Sequence, residues 1–481
     1  MQRILCVIVW NRYRYRVKSI VTATETWIKS WSWRNLRIAS GVQELLRRRF
    51  TKAGQAVLAT TLCAGLFGLD TRMTAAYQVF ALGSALLLVA GVGTVRGARA
   101  LHGERRLPRH ATLGEPCAYR VRIRNLGQRP MHTLDLAERL PDPRPDRATF
   151  LAAYAPIEAR LNPIERLFGY PRWEWLVQRG RRAEPQIPVS LPVIAPGERI
   201  EQTLEITPKR RGWLHLDALV AARIDPLGLM RCETRLPGSG RMLVLPKRYP
   251  VPPLSRPTHR RLQPGGVNLA SSVGDSREFM GLRDYLPGDS PRHIHWAAWA
   301  RSGEPVVKEY QDEFFSRQAL ILDSFIATDT EASAYEEAFE CAISVAGSLL
   351  EPMTLAGAPQ DALLDLMFVA DQAHRVTGGR GLLSTRAMLE LLACLQPNRG
   401  NHFADLGELV DSHAAQLSNC ICVLLAWDQQ RRDLIHRLQA WGLKPRVLLI
   451  ATAEPTVDVE STQTPLLRID PADPAAGLAR L

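Results

Sequence analysis

No two cysteines in this chain stand at the Cys-x-x-Cys spacing of a metal knuckle or redox motif, although there are eight of them, at positions 6, 63, 117, 232, 341, 394, 420 and 422. With no framework spacing and no His partners at ligand distance, they read as reduced, mostly buried thiols of a cytosolic setting, which argues against a zinc site or a disulfide scaffold. A Walker A loop, a Gly-x-Ser-x-Gly elbow and a His-Glu-x-x-His helix are also missing, so the common nucleotide, serine and zinc chemistries have no foothold. Charge is absent from two stretches, the 17 residues Ala53–Leu69 and the 21 residues Ala75–Val95. Each is long enough to cross a hydrocarbon core of about 30 Å, the first only just. The five residues Asp70–Thr74 between them suffice for a tight turn, and the pair is expected to form a transmembrane helical hairpin.

Charge is present elsewhere, but unevenly. The whole chain carries +13, yet residues 1–52 hold twelve Lys/Arg against two acids, and residues 316–481 hold twelve against twenty-one. A basic start and an acidic end do not make one nucleic-acid surface. They fit a basic segment at an anionic membrane and an acidic domain facing a protein partner. Arg47, Arg48, Arg49 and Lys52 precede the first apolar run and Arg96, Arg99, Arg105 and Arg106 follow the second, while the turn has only Arg72, balanced by Asp70. Excess Lys/Arg stays in the cytoplasm, so both termini are expected inside. Residues 1–50, with Trp10, Trp27, Trp31 and Trp33 among basic residues, suit a membrane interface. A disordered leader, or an over-extended start of the reading frame, would also account for them.

From residue 98 to 250 short alternating segments appear, at Ala118–Arg124, His132–Glu138, Gln186–Val193, Arg199–Thr207 and Trp213–Arg223. Turn signals such as Ala195-Pro-Gly197 and Asp225-Pro-Leu-Gly228 divide them. Period-two patterning with this punctuation predicts an antiparallel β-sandwich-like domain, with Asn162–Arg182 as an aromatic, basic insertion.

The densest motif covers residues 274–313, GDSREFMGLRDYLPGDSPRHIHWAAWARSGEPVVKEYQDE. Arg292–Arg301 can form a short helix with Trp296 and Trp299 on one stripe. Arg277, Arg283, Arg292 and Arg301 alternate with Asp284, Asp289, Glu304 and Glu309, which suggests a buried ion-pair network locking a domain junction. Two alternatives are a partner-docking surface and acid/base or metal chemistry by His293, His295, Asp284 and Asp289.

The block resembles the signature of the DUF58 family at Glu278-Phe279, Gly281-Leu282-Arg283, Tyr285, Pro287-Gly288-Asp289, Arg292, Ile294, Trp296, Ala300-Arg301 and Glu309. Arg210-Arg211-Gly212 and Asp225-Pro226-Leu227-Gly228-Leu229 resemble the family's upstream segment, and the likeness covers most of residues 50–430. The resemblance implies a bacterial inner-membrane protein with a von Willebrand factor A-like domain and a MoxR-type AAA+ ATPase as partner. It implies no reaction.

Residues 316–481 alternate strand and helix: strands at Gln318–Asp323, Ala362–Ala370, Cys420–Trp427 and Arg446–Ala451, and helices at Glu331–Leu350, Thr385–Cys394 and Arg431–Trp441. Apolar strands without alternation predict a parallel sheet covered on both faces, and ligands of such sheets bind beyond the strands' carboxyl ends. Asp323 and Asp428 fall there. The family resemblance implies a magnesium site at that edge, built from an Asp-x-Ser-x-Ser loop, a Thr and a second Asp. Here Phe325 and Ala327 stand where hydroxyls belong, so Asp323 and Asp428 form at best a degenerate site. The loop Thr377–Gly381 is expected in the Thr-bearing region, where Arg380 can replace the ion.

These readings combine into a basic aromatic segment (1–50), a transmembrane hairpin (51–97), a β-sandwich-like domain (98–250), a signature junction (251–315) and a C-terminal von Willebrand factor A-like α/β domain (316–481). The expected function is that of a membrane-anchored adaptor with no catalytic site or cofactor, working on a client protein. The alternative is an enzyme using His293, His295 and Asp289.

Overall fold

The computed structural model describes residues 2–67, 74–95, 101–153, 158, 161–254, 263–264, 278–287, 289, 291–311, 314–325, 332–355, 362–379, 382–398, 403–451 and 466–481. Asp70, Arg72, Arg96, Arg99, Arg277, Gly288, Ala327 and Arg380, each given a role above, lie outside the described residues. The chain divides into two compact units, Met1–Leu245 and Pro246–Leu481.

The first unit starts with one long helix, α1 (Gln2–Arg49). Its second half has a packing partner. Trp33 Nε1 donates to the Pro145 carbonyl at 3.2 Å, and Arg147 donates to Ser30 Oγ at 3.0 Å. The helix breaks at Phe50-Thr51, where Thr51 Oγ1 accepts the Gly54 N–H at 3.1 Å and starts α2 (Lys52–Phe67). The third helix is α3 (Thr74–Val95). A Cβ added at Gly83 would stand 2.0 Å from Thr61 Oγ1, and one at Gly65 would stand 3.1 Å from the Phe80 ring. Contacts that run up one helix as they run down the other mean the two lie antiparallel.

The two apolar helices are not equal. At 16 residues α2 reaches only about 24 Å, short of a hydrocarbon core of about 30 Å. Among the described residues one helical stretch, Ala75–Thr94, is long and apolar enough to cross a membrane. Its side chains are mostly open, with Leu82, Leu88 and Val92 each more than half exposed, unlike those of a soluble core helix.

The rest of the unit is three small sheets around a shared core. One orders β1 (Leu101–Arg106), β3 (Cys117–Asn125) and β6 (Arg199–Ile206). A second orders β2 (His110–Thr112), β10 (Gly240–Leu245) and β7 (Gly212–Leu216). The third orders β5 (Val189–Leu191), β4 (Leu134–Arg139), β8 (Ala218–Ile224) and β9 (Arg231–Leu236). Tyr119, Val121 and Ile123 of β3 alternate inward with Leu134, Leu136, Leu214 and Leu219, as period-two patterning requires. Two expectations are corrected. Pairing is not wholly antiparallel, since β2 runs parallel to β10. The single run Trp213–Arg223 divides at Asp217 into β7 and β8, which belong to different sheets, and the Asp217 N–H turns to the Arg139 carbonyl at 3.2 Å.

Between β4 and β5 the chain forms α4 (Arg147–Ala152), α5 (Pro163–Phe168) and α6 (Tyr170–Gly180). Phe150, Trp173 and Leu176 make a small core with Trp33 and Leu36 of α1. Beside it Arg172 pairs with Glu158 at 2.5 Å, both side chains almost fully enclosed.

In the second unit β12 (Glu278–Asp284) pairs antiparallel with β13 (Val306–Gln311). One turn of 3-10 helix (Pro291–His293) and α7 (Trp296–Ser302) lie between them. The main sheet orders β16 (Ala373–Gly378), β15 (Ala362–Val369), β14 (Phe314–Leu322), β17 (Asn419–Leu424), β18 (Arg446–Ile450) and β19 (Leu466–Ile469), and the short β11 (Gln263–Pro264) pairs with β14. Strands β15 to β19 along this path are parallel and β16 is an antiparallel edge. The helices are α8 (Ala332–Leu355), α9 (Thr385–Cys394), α10 (Phe403–Ala414), α11 (Gln429–Ala440) and α12 (Pro474–Leu478). Continuous burial of Ala319–Leu322 and Cys420–Leu424 accounts for strands that show no alternation. Cys420 and Cys422 are wholly enclosed in this core, and burial pushes the Cys341 thiol up to about 12.

Candidate functional site

Two places in the second unit gather the residues that the sequence singles out. The first is the carboxyl end of the parallel sheet. Asp323 follows β14 and Asp428 follows β17, and these strands are adjacent, so topology brings the two acids to one edge. A third residue joins them. Arg431, in the first turn of α11, donates from Nε to Asp323 Oδ2 at 2.6 Å and from a terminal nitrogen to Asp428 Oδ2. Asp428 Oδ1 also caps α11 by accepting the Arg431 N–H at 3.0 Å. Asp323 has no solvent exposure; Oδ1 accepts the Phe325 N–H at 3.0 Å and Oδ2 the Leu425 N–H at 3.1 Å. The guanidinium carbon lies 4.7 Å from the centroid of the Phe403 ring. Burial works against the Arg431 charge, but Asp323 and Asp428 outweigh it and raise its pKa further.

This geometry answers the metal expectation. A hard divalent cation needs free oxygen ligands, whereas both oxygens of Asp323 are taken by protein donors and the cationic position is filled by guanidinium. Among the described residues no cluster of three His, Cys, Asp or Glu could hold an ion. The residues present do not fit magnesium. Thr377 and Gly378, which with Gly379 are the described start of the Thr377–Gly381 loop, do not lie at this edge either. Because β16 is antiparallel, Ala373 pairs with Val369 at the carboxyl end and Gly378 with Leu364 nearer the other end, so the chain leaves towards the opposite edge. Thr377 Oγ1 donates to Asp365 Oδ1 at 2.6 Å instead.

Asp365, inside β15 and fully buried, escaped the sequence reading. Arg317 and Arg375 stand 3.4 and 3.9 Å from its oxygens. A lone acid within the apolar run ALLDLMFV was the available signal, since buried charge requires partners. Arg431 also left a trace, three residues after an N-capping Asp, where helix spacing allows an ion pair.

The second place is the β12–β13 block. Arg283 donates to Asp289 with both terminal nitrogens, at 2.7 Å each, and Asp289 also accepts the Leu286 N–H at 2.9 Å. The Arg283 hydrogen bonds, followed by the Leu286 N–H, hold the Asp289 carboxyl below its usual range. The pair clamps the turn through Pro287. It corrects the expectation of a buried lock, because the Arg283 side chain is 36% exposed and Arg292 and Arg301 are exposed too. His295 is engaged locally, with Nδ1 accepting the Ala298 N–H at 2.9 Å as the cap of α7. With His295 capping a helix and Asp289 bound to arginine, nothing favours an acid/base role for the cluster. Tyr285 is half-buried, its N–H donating to the Pro305 carbonyl at 2.9 Å. The block displays apolar surface: Trp296 is 63% exposed and stacks on Trp299 with centroids 5.4 Å apart, and Leu282 and Leu286 are exposed as well. This arrangement can bind a protein surface; among its described residues no nucleophile, base and orienting group stand in sequence.

A family model described as "Protein of unknown function DUF58" matches residues 281–460, a span that takes in the Trp296 stack and the Asp323–Arg431–Asp428 edge. No curated protein matches the chain. Among solved structures, a Salmonella alpha-2-macroglobulin is 14% identical with a TM-score of 0.18, over 32% of this chain and 7% of that one. A CARDB domain from Pyrococcus furiosus is 11% identical with a TM-score of 0.16, over 30% of this chain and 94% of that one. Proximal thread matrix protein 1 from the mussel byssus is 11% identical with a TM-score of 0.20, over 34% and 39%. Likenesses this slight carry no inference about fold or function.

Proposed function

We propose, from the match of residues 281–460 to the DUF58 family model, that the chain is a membrane-anchored adaptor of that family. It works with a MoxR-type AAA+ ATPase on a client protein and catalyses no reaction itself. The observation that carries this reading is the stacked, open Trp296–Trp299 pair with Leu282 and Leu286, held on a turn that Arg283 and Asp289 stiffen. Exposed tryptophan on a pre-shaped surface is the residue type that dominates protein-binding energetics. The excess of acids in residues 316–481 supplies a second, electrostatic element for a partner.

Anchoring rests on α3, whose open apolar side chains suit lipid. The run Ala53–Leu69 supplies the other arm of an inner-membrane hairpin, its helix α2 lying against α3 although α2 alone is shorter than a full crossing. Arg47, Arg48, Arg49 and Lys52 hold its basic end on the cytoplasmic side, with both termini inside. The second unit is a von Willebrand factor A-like domain in which Arg431 stands where such domains hold their ion. Its partner binding therefore needs no divalent cation.

Purification from the native host in mild detergent, with and without ATP, tests the proposal. The account expects an AAA+ ATPase in near-equal amount by mass spectrometry in at least one of the two states. Recovery of the protein alone in both would overturn the adaptor reading.

A further inference from the structure

The hairpin between β8 and β9, residues Asp225–Met230, has a position that the adaptor reading does not use. Thr51 Oγ1 donates to the Gly228 carbonyl at 2.6 Å, and the Thr51 N–H donates to the Leu229 carbonyl at 3.0 Å. Phe50 bridges to Met230, and a Cβ on Gly54 would fall 1.9 Å from the Leu229 oxygen, so α2 begins directly on this hairpin. The other apolar helix ends there: a Cβ on Gly93 would lie 3.5 Å from Pro226 Cδ, and one on Gly91 would lie 4.0 Å from Met230 Sδ. The tip is thus level with the last turn of the apolar stretch Ala75–Thr94, because Gly91 to Thr94 spans only about 4.5 Å of helix rise.

The tip is built in advance. Asp225 is buried, with Oδ2 accepting the Leu227 N–H at 2.9 Å and Oδ1 accepting the Met230 N–H, so its charge is satisfied internally. The Gly228 N–H closes the turn on the Asp225 carbonyl at 2.9 Å, and φ of 71° makes glycine the suitable residue there. Leu229 is the buried anchor, while Pro226 and Leu227 are exposed, Leu227 at 44%. Arg47, Arg48 and Arg49 end α1 and Lys52 begins α2, so four cations lie in the same short stretch of chain as the contact with the tip.

We propose that Pro226 and Leu227 form a membrane contact, bedded in the anionic phospholipid headgroup layer at the basic end of α2 and α3. This rests on the reading of α3 as a membrane span. An apolar tip at the depth where a span ends meets the acyl boundary rather than water. The arginines and lysine beside it complement anionic headgroups, and Asp225 adds no open charge to oppose them. The hairpin would thereby hold the first unit's sheets against the bilayer through a soluble-domain loop, in addition to the helical anchor.

The test uses the full chain in a phosphatidylethanolamine bilayer containing phosphatidylglycerol. A photoreactive p-benzoylphenylalanine replaces one of three exposed residues: Leu227 at the tip, Leu88 in α3, or Leu126 on another loop of the same unit. Phospholipid adducts are measured by mass spectrometry. The proposal expects adducts at 227 and 88, none above background at 126, and a loss of yield at 227 when phosphatidylcholine replaces the other lipids. Adducts at 88 without adducts at 227 overturn the proposal and leave the membrane span standing. No adducts at 88 remove the span and the proposal together. Adducts at 126 equal to those at 227 overturn it as non-specific labelling. An unchanged yield at 227 in phosphatidylcholine overturns the assignment to anionic lipid.

Discussion

Two arginines of the second unit meet carboxylates in opposite settings. Arg431 is enclosed, bound to an Asp323 with no exposure, and its partners sit on two different strands' ends. Arg283 is 36% exposed and binds Asp289, six residues away on the same turn. The difference is one of consequence. Removing one member of an enclosed pair leaves a buried charge without a partner, whereas removing one member of an open pair returns the other to water. The first pair should therefore hold the fold, and the second should only shape the surface that carries Trp296.

The largest expected effect follows from the enclosed pair. Arg431→Ala should destabilise the protein by about 3–5 kcal/mol, read as a shift of the urea midpoint, because Asp323 is left charged and buried. An effect within ~0.5 kcal/mol would erase the distinction between the two pairs. Magnesium belongs to the same comparison, and adding it to the wild type should leave thermal stability unchanged.

Next in size is a pH effect in the first unit. Glu138 is fully enclosed and bound to Arg105 and Tyr119. Burial raises its pKa, and the Arg105 hydrogen bond only partly opposes this. A carboxyl whose folded pKa exceeds its unfolded one favours folding as pH falls through the folded value, and it opposes folding above that value. Glu138→Gln should flatten this part of the curve of stability against pH. Asp289, whose pKa is lowered, has the opposite sign: its contribution is present above the ordinary carboxylate range and lost as pH falls through the lowered value. Because that pair is open, Asp289→Asn should lower global stability far less than Arg431→Ala and act mainly by increasing local hydrogen exchange near Leu286.

The sequence made the regular parts of both units legible. A strong apolar period specifies helix Thr385–Cys394 with its observed bounds and strand Cys117–Asn125 to within one residue of each end. Helix α10 is absent from the sequence expectations although Phe403, Leu406, Val410 and Ala414 carry helical spacing. The division of Trp213–Arg223 was invisible because alternation continues through Asp217 while the backbone changes sheets. At the sheet edge, Asp323 and Asp428 could be read from strand ends, but their cation could not. Arg431 is 108 residues from Asp323, and only the fold brings them to 2.6 Å. Arg283 and Asp289 were legible because their pairing is local. Their openness was not, since it depends on what the rest of the unit leaves uncovered.

The central claim is that the Trp296 surface binds the partner while the enclosed pair only maintains the fold. The most direct measurement compares wild type and Trp296→Ala, both purified from the native host, for AAA+ ATPase recovered per chain and for urea midpoint. The account predicts that the ATPase is lost while stability stays within ~0.5 kcal/mol, as for a surface substitution. Full recovery of the ATPase with Trp296→Ala would contradict it.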